Sequence, residues 1–117
     1  MSWVVLWSRA FGLTVVSELC VAPWFLPKRE PHWRRLGAVV VANCCSHPAV
    51  WFVFPELGLA YVKWVLLAEL WAFGSEVFVY RLVFPELSWR RAVAASALAN
   101  GASVAAGLVA RALGLPL

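Results

Sequence analysis

The sequence places ionisable side chains inside stretches that are otherwise apolar. Glu69 and Glu76 are seven residues apart, so a helix would present both carboxyls on one face, about two turns apart. Glu18 and His47 lie in two other apolar stretches. Carboxyl, imidazole and amide groups inside a membrane mark paths for protons or cations. The candidates for such a path are Glu69, Glu76, His47, Glu18, Asn43, Asn100 and Tyr80.

Exposure of these groups to lipid would be costly, on the order of 3 kcal/mol for a charge at the bilayer centre. We therefore expect them to face other helices. The predicted middle layer consists of Glu69, His47, Asn43 and Asn100, and a second layer nearer the basic loops consists of Glu76, Glu18 and Tyr80. The alternative is that the cluster only holds the helices together, at about 0.6 kcal/mol for each hydrogen bond between helices.

Other chemistry has little support in the sequence. Cys44, Cys45 and His47 are weak candidates for a soft metal, and the vicinal cysteine pair resembles that of bacterial mercury transporters. We expect these cysteines and Cys20 to be reduced, buried packing residues. Nucleophile motifs, phosphate-binding glycine loops and HExxH are missing from the sequence. We therefore predict no enzyme activity, no cofactor and no metal centre.

The elements that must position the polar residues are predicted to be transmembrane helices. Apolar residues make up 63% of the 117 residues and charged residues 14%, whereas soluble domains are about a quarter charged. The prediction is an all-α fold, a four-transmembrane-helix bundle with up-down topology and short loops, forming one domain over residues 1–117. The predicted spans are 3–26, 36–54, 57–83 and 92–113, each long enough to cross about 30 Å of hydrocarbon.

Two sequence features concern how these spans end and pack. The string VFPEL occurs at Val53–Leu57 and Val83–Leu87. A duplicated helix pair would repeat at about twice this spacing. We therefore interpret the string as a marker of the boundary between consecutive helices, with Pro55 and Pro85 beginning the next helices. In the last span, Ser96, Ser103 and Gly107 share a stripe of small residues that is typical of close helix packing.

The distribution of Lys and Arg predicts the orientation. Seven of the ten lie in or beside the loops after the first and third spans, and Arg9, Lys63 and Arg111 lie on the other side. The positive-inside rule places the basic loops in the cytoplasm and both termini outside, toward the periplasm or extracellular space. The formal charge of +4 then reflects topology, and we expect no nucleic-acid partner.

The layout resembles the small multidrug resistance transporters, which have four short spans and a Glu in the first. The segment GLAYVKW, residues 58–64, is similar to the third-span stretch that carries their Tyr and Trp. This resemblance implies that Glu18 is the coupling carboxylate and that Tyr61 and Trp64 lie in the binding site. The strings NCCSHPAVWF, EVFVYR and SALANGAS resemble a pattern of uncharacterised small bacterial four-helix membrane proteins. This resemblance implies a membrane location and a bacterial source, and we therefore expect the protein in a bacterial inner membrane.

Two functions are compatible with these features. The first is a transport protein that handles protons or cations through the Glu, His and Asn cluster, as an oligomer, because four helices enclose little space. The second is a non-catalytic accessory or assembly subunit of a larger membrane protein complex. The expected partners are the lipid bilayer and either further copies of the chain or that complex.

Overall fold

The computed structural model describes residues 2–117 and consists of four long helices joined by short connections. The helices are α1 (Trp3–Val21), α2 (His32–Phe52), α3 (Tyr61–Val83) and α4 (Trp89–Ala112). A single 3-10 turn follows α1 at Ala22–Phe25 and another follows α2 at Phe54–Leu57. The predicted all-α fold is confirmed, with helices that start up to four residues away from the predicted positions.

The four helices form a ring. Both α1 and α3 pack against α2 and α4, so α1 lies diagonally opposite α3, and α2 lies diagonally opposite α4. Every helix therefore turns one face toward a common centre. Side chains from diagonal helices meet there without the helices themselves touching.

Three segments are long and apolar enough to cross a membrane: Trp3–Phe25, His32–Leu57 and Trp89–Ala112. The α3 helix is as long as the others, at 23 residues, but it does not meet the same criterion. It contains four charged residues, which are Lys63, Glu69, Glu76 and Arg81. Of the four predicted spans, the structure thus supports three by length and composition.

Small residues form much of the contact surface between the helices. Ala38 and Ala42 of α2 face the interior, as do Ala95 and Ala99 of α4, and each is at most 3% exposed. Many large apolar side chains point outward instead, including Leu70, Leu82 and Leu108. This distribution suits helices that approach one another closely and that leave their apolar surface to lipid.

The cysteine prediction is wrong in one respect. Cys20, Cys44 and Cys45 have free thiols, as expected, but all three lie on the exposed outer surface of the bundle. In a bundle whose outer surface is apolar, a thiol can pack against lipid as well as against another helix. Apolar character alone therefore does not indicate which way such a residue faces.

The prediction that Pro55 and Pro85 begin the next helices is also wrong. Pro55 lies in the 3-10 turn after α2, and α3 begins only at Tyr61. Pro85 lies in the turn before α4, which begins at Trp89 with Ser88 as its N-cap. The Ser88 hydroxyl accepts a hydrogen bond from the Arg91 amide, as N-cap serines commonly do.

Arginines of the basic loops bind main-chain carbonyl groups near the ends of α1 and α3. Arg34 donates to the carbonyl of Val83 at 3.0 Å, and Arg91 donates to those of Phe25 at 3.1 Å and Trp24 at 3.3 Å. Arg81 donates to the carbonyls of Pro85 and Leu87 within the α3–α4 turn. These bonds satisfy carbonyls that helix ends and turns leave without a partner. The loop arginines therefore stabilise the fold as well as carrying charge.

Candidate functional site

The carboxylate of Glu76 accepts three hydrogen bonds from other side chains in the interior. It lies on α3 and is 1% exposed. Ser46 of α2 donates to its Oε1 at 3.1 Å, and Ser96 of α4 donates to its Oε2 at 3.3 Å. Asn100 of α4 also donates to Oε2, at 2.5 Å. Three donors from two neighbouring helices thus hold this carboxylate.

Glu18 of α1 has a different set of partners. It is 0% exposed, and its Oε2 accepts one hydrogen bond, from Nδ2 of Asn43 at 2.5 Å. Asn43, which is also 0% exposed, donates from the same nitrogen to the carbonyl of Val39 at 2.9 Å. Glu18 Oε1 and Asn43 Oδ1 are buried and have no hydrogen-bond partner.

Both glutamates line one cavity of about 260 Å³ along the centre of the bundle. The cavity extends from Trp51 and Arg111, near the helix ends that carry the termini, to Glu18 and Glu76. On the side of the basic loops, fully or almost fully buried side chains fill the bundle; they are Leu26, Tyr80, Phe84 and Leu87. The polar interior is therefore closed off from the loops.

The Glu18–Asn43 and Glu76–Asn100 pairs occupy equivalent places in two similar halves of the chain. Glu76 follows Glu18 by 58 positions, and Asn100 follows Asn43 by 57. In both pairs the amide bonds the carboxylate at 2.5 Å and also the carbonyl four residues earlier. The α1–α2 pair and the α3–α4 pair thus repeat the same Glu–Asn hydrogen-bond arrangement.

The sequence carries this repeat in three short strings. Ser17-Glu18 matches Ser75-Glu76, and Trp33-Arg34-Arg35 matches Trp89-Arg90-Arg91. Ala42-Asn43-x-x-Ser46 matches Ala99-Asn100-x-x-Ser103. The sequence interpretation missed this relation because VFPEL repeats at a shorter interval, between the end of α2 and the end of α3. A comparison of the halves at about 58 residues would have found both Glu–Asn pairs.

No cationic side chain neutralises the two carboxyls among residues 2–117. Two ion pairs are found there. Arg29–Glu86, at 3.5 Å, joins the first loop to the turn before α4, and Arg34–Glu30, at 3.1 Å, joins the start of α2 to the same loop. Glu18 and Glu76 are both buried and line the same cavity. Because a buried charge needs a partner, a proton or another cation must balance at least one of them.

The two predicted layers of polar residues are not what the structure shows. Asn43 and Asn100 join Glu18 and Glu76 through hydrogen bonds instead of lying in a separate layer with Glu69. Glu69 lines the cavity together with His47 and Asn100, but its side chain is exposed. It also lines the neighbouring cavity, so it lies where the two meet.

His47 and Tyr80 lie beside the glutamate pair without bonding to it. The His47 ring packs against Phe11, with ring centroids 5.3 Å apart, and against Trp51, and its Nδ1 has no hydrogen-bond partner. Tyr80 is 0% exposed, and its hydroxyl has no partner either. His47 lines the cavity, and Tyr80 helps to fill the bundle on the loop side.

The small-residue stripe of α4 is also part of the site. Ser96 is 0% exposed, and the carbonyl of Phe73 at 2.8 Å and Glu76 Oε2 at 3.3 Å are the two acceptors within reach of its single hydroxyl proton. Ser103 and Gly107 line the cavity. The weak metal candidates Cys44, Cys45 and His47 do not come together, since residues 2–117 contain no group of three or more His, Cys, Asp or Glu arranged to hold a metal.

A second cavity, of about 380 Å³, lies at the end of the bundle that carries the termini. Tyr61 and Trp64, which the resemblance to multidrug transporters assigned to a binding site, line this cavity with Trp3 and Trp51. Glu18 lines only the central one. The structure therefore places the aromatic pair and Glu18 in adjacent cavities that share Glu69 and Arg111.

Comparisons of the chain with protein-family models, with curated proteins and with solved structures find no match. The functional argument therefore depends on the geometry of the central cavity.

Proposed function

We propose that the protein is an integral membrane protein that crosses the bilayer four times and moves protons or cations through its central cavity. One observation carries this proposal. The carboxyls of Glu18 and Glu76 are 0% and 1% exposed, line the same cavity and have no cationic side chain beside them. Ionisable groups buried in membrane helices are the usual mark of such a path.

The proposal includes α3 as the fourth span. Lys63 and Arg81 lie near the two ends of this helix, where long side chains reach the interface. Glu76 is buried among the other helices, and Glu69 lines the cavities. The four charged residues lower the apolar character of α3. Each of them nevertheless lies near a helix end, inside the bundle or beside a cavity, where a charged side chain can be accommodated.

The shape of the cavity supports access from one side at a time. The cavity extends from Arg111 and Trp51 toward the glutamates, while Phe84 and Leu26 close the bundle on the loop side. Passage across the membrane would then require the loop end to loosen. Four helices leave little room for such a change, so we propose that the protein acts as a homo-oligomer.

Reconstitution into liposomes tests the function. Wild-type protein is expected to conduct protons or a cation down an imposed gradient, and the double variant Glu18→Gln/Glu76→Gln is expected to conduct at the level of empty liposomes. The control double variant Glu56→Gln/Glu86→Gln removes two glutamates outside the central cavity and is expected to keep wild-type flux. Wild-type protein that conducts no ion, and that co-purifies in mild detergent with a fixed partner, would instead indicate an accessory subunit of a larger complex.

Cysteine labelling tests the proposed orientation, with both termini outside the bacterial inner membrane. In a background where Cys20, Cys44 and Cys45 are replaced by Ala, Glu30→Cys is expected to react with an impermeant thiol reagent only after the membrane is opened. Leu117→Cys, at the other end of the bundle, is expected to react in intact cells, because the basic loops are retained inside. Labelling of Glu30→Cys from outside intact cells would reverse the proposed topology.

A further inference from the structure

Two buried atoms without a hydrogen-bond partner belong to side chains that already bond each other. They are Glu18 Oε1 and Asn43 Oδ1, while Glu18 Oε2 accepts from Asn43 Nδ2 at 2.5 Å. Both side chains are 0% exposed. An ionised carboxylate and an amide oxygen are both acceptors, so neither can satisfy the other. Buried polar atoms without a partner are rare and require an explanation.

A single proton placed between the two atoms would satisfy both. When a carboxylic acid faces an amide, its hydroxyl donates to the amide oxygen while its other oxygen accepts from the amide nitrogen. The second of these bonds is present between Glu18 and Asn43. We propose that Glu18 holds a proton on Oε1 and shares it with Asn43 Oδ1, so that the species bound in the cavity is a proton and not a metal ion. This inference depends on the proposed function and makes its substrate more specific.

The burial of Glu18 Oε1 and Asn43 Oδ1 argues against a metal ion bound between them. Both are closed off from contact with water. Hard metal ions are held by six or more oxygen ligands, of which several are often water, and they need room for that shell. Among residues 2–117, the glutamates do not form part of a metal-binding group of three or more His, Cys, Asp or Glu. A proton needs no additional space.

The repeat explains why the proton lies on Glu18 and not on Glu76. In the second half, Glu76 accepts three side-chain hydrogen bonds, one of them from Ser46. The counterpart of Ser46 in the repeat is Ser103, but its hydroxyl donates to the carbonyl of Asn100 at 2.9 Å and not to Glu18. Ser96, which also binds Glu76, corresponds to Val39, which has no hydroxyl. Glu18 therefore lacks two donors that Glu76 has.

The positions of the other ionisable groups around the Glu18–Asn43 pair are consistent with a proton on Glu18. They are Glu69, Glu76 and Tyr80 on α3, His47 on α2 and Arg111 on α4. Arg111 lies at the far end of the cavity, and none of the five forms a hydrogen bond with Glu18 Oε1 or Asn43 Oδ1. Glu76 is the alternative site for the proton, because it is the other buried carboxyl that lines the same cavity.

Infrared spectroscopy of wild-type protein in liposomes tests the inference directly. At neutral pH we expect the C=O stretching band of a protonated carboxyl, which shifts in D2O. Glu18→Gln is expected to remove this band, and Glu76→Gln is expected to retain it. Asn43→Leu, which removes the amide oxygen, is expected to shift the band by removing its hydrogen-bond acceptor. A wild-type spectrum without the band, or a band that Glu18→Gln leaves unchanged, would overturn the inference.

Flux in media without metal ions separates this inference from the proposed function. With choline as the only cation in the medium, proton flux is expected to equal that in sodium or potassium salts. Flux that requires a metal ion would overturn the proton assignment while leaving cation transport intact. A protonated Glu18 band in protein that conducts no ion in any medium would support the assignment and contradict the transport function.

Discussion

Proton flux into liposomes is expected to stop in the Glu18→Gln variant and to return in part when Asn43→Asp is added. The first change leaves two amides in place of an acid–amide pair and removes the exchangeable proton. The second restores a carboxyl to the pair, now on α2, while both side chains keep their lengths. Glu18 and Asn43 bond at 2.5 Å, so their variants are expected to be strongly coupled. The measurement is the initial rate of proton entry after a pH jump.

The repeat provides a matched control for this rescue. Glu18→Gln combined with Asn100→Asp introduces the same carboxyl at the equivalent position of the other half, beside Glu76. This variant is expected to remain inactive, because residue 18 still faces an amide. Equal recovery by Asn43→Asp and Asn100→Asp would show that any additional carboxyl in the cavity is sufficient. Such a result would contradict a specific role for the Glu18–Asn43 pair.

Arg81→Leu is expected to destabilise the folded protein by about 2–4 kcal/mol. Hydrogen bonds from a charged group contribute about 1.5–3 kcal/mol each, and a cation–π contact about 0.5–1 kcal/mol. Because Arg81 is only half-buried, solvent screens these contacts, and we expect the lower end of their sum or less. Arg81 donates to the carbonyls of Pro85 and Leu87, and its guanidinium carbon lies 4.7 Å from the centre of the Trp89 ring. Loss of these contacts opens the turn between α3 and α4. Denaturant unfolding in detergent measures the change.

Arg90 provides the control for charge. It is exposed and forms no hydrogen bond or ion pair within residues 2–117, so Arg90→Leu removes the same charge at the same end of the bundle without breaking a contact. We expect a change in unfolding free energy of about 0.5 kcal/mol or less, as is usual for surface positions. Arg81→Lys is expected to fall between the two, because Lys keeps the charge but lacks the planar fork. Equal effects of Arg81→Leu and Arg90→Leu would show that charge alone matters.

Much of the fold can be predicted because a bilayer permits few backbone conformations. Long apolar segments must form helices there, and the basic loops mark where they end. The predicted second span, 36–54, and the observed helix His32–Phe52 cover nearly the same residues. The predicted first residues of the helices are less accurate than the predicted extent of the spans. A start after a loop depends on local turns, as the 3-10 turn at Phe54–Leu57 shows.

The candidate residues could be identified from sequence, but their pairing could not. Glu18, Glu76, Asn43 and Asn100 were all predicted to lie inside the bundle, and all four line the cavity. Their assignment to two depths was wrong because counting residues from uncertain helix ends carries an error of about one turn, or 5.4 Å. An error of that size is larger than the distance over which a hydrogen bond forms, so it can assign the two members of a bonded pair to different depths.

The sequence also did not show which way each side chain points around its helix. Glu69 and Glu76 were predicted to face inward together, yet only Glu76 is buried. The two share a helix face by spacing, but α3 meets its neighbours more closely at Glu76 than at Glu69, which lies where the two cavities meet. Spacing along one helix does not show how near the neighbouring helices lie.

If the protein moves protons as proposed, the joining of two similar halves in one chain has a consequence for the direction of that movement. Two identical helix hairpins would have to surround both glutamates with the same donors, and a proton would then be equally stable at either. In a single chain each half can acquire its own substitutions, and here Ser96 corresponds to Val39. In the proposed state, Glu18 holds the proton and Glu76 is free to accept it. Such an inequality would give a proton a defined resting place and a defined next step, which a symmetric dimer of hairpins would not provide.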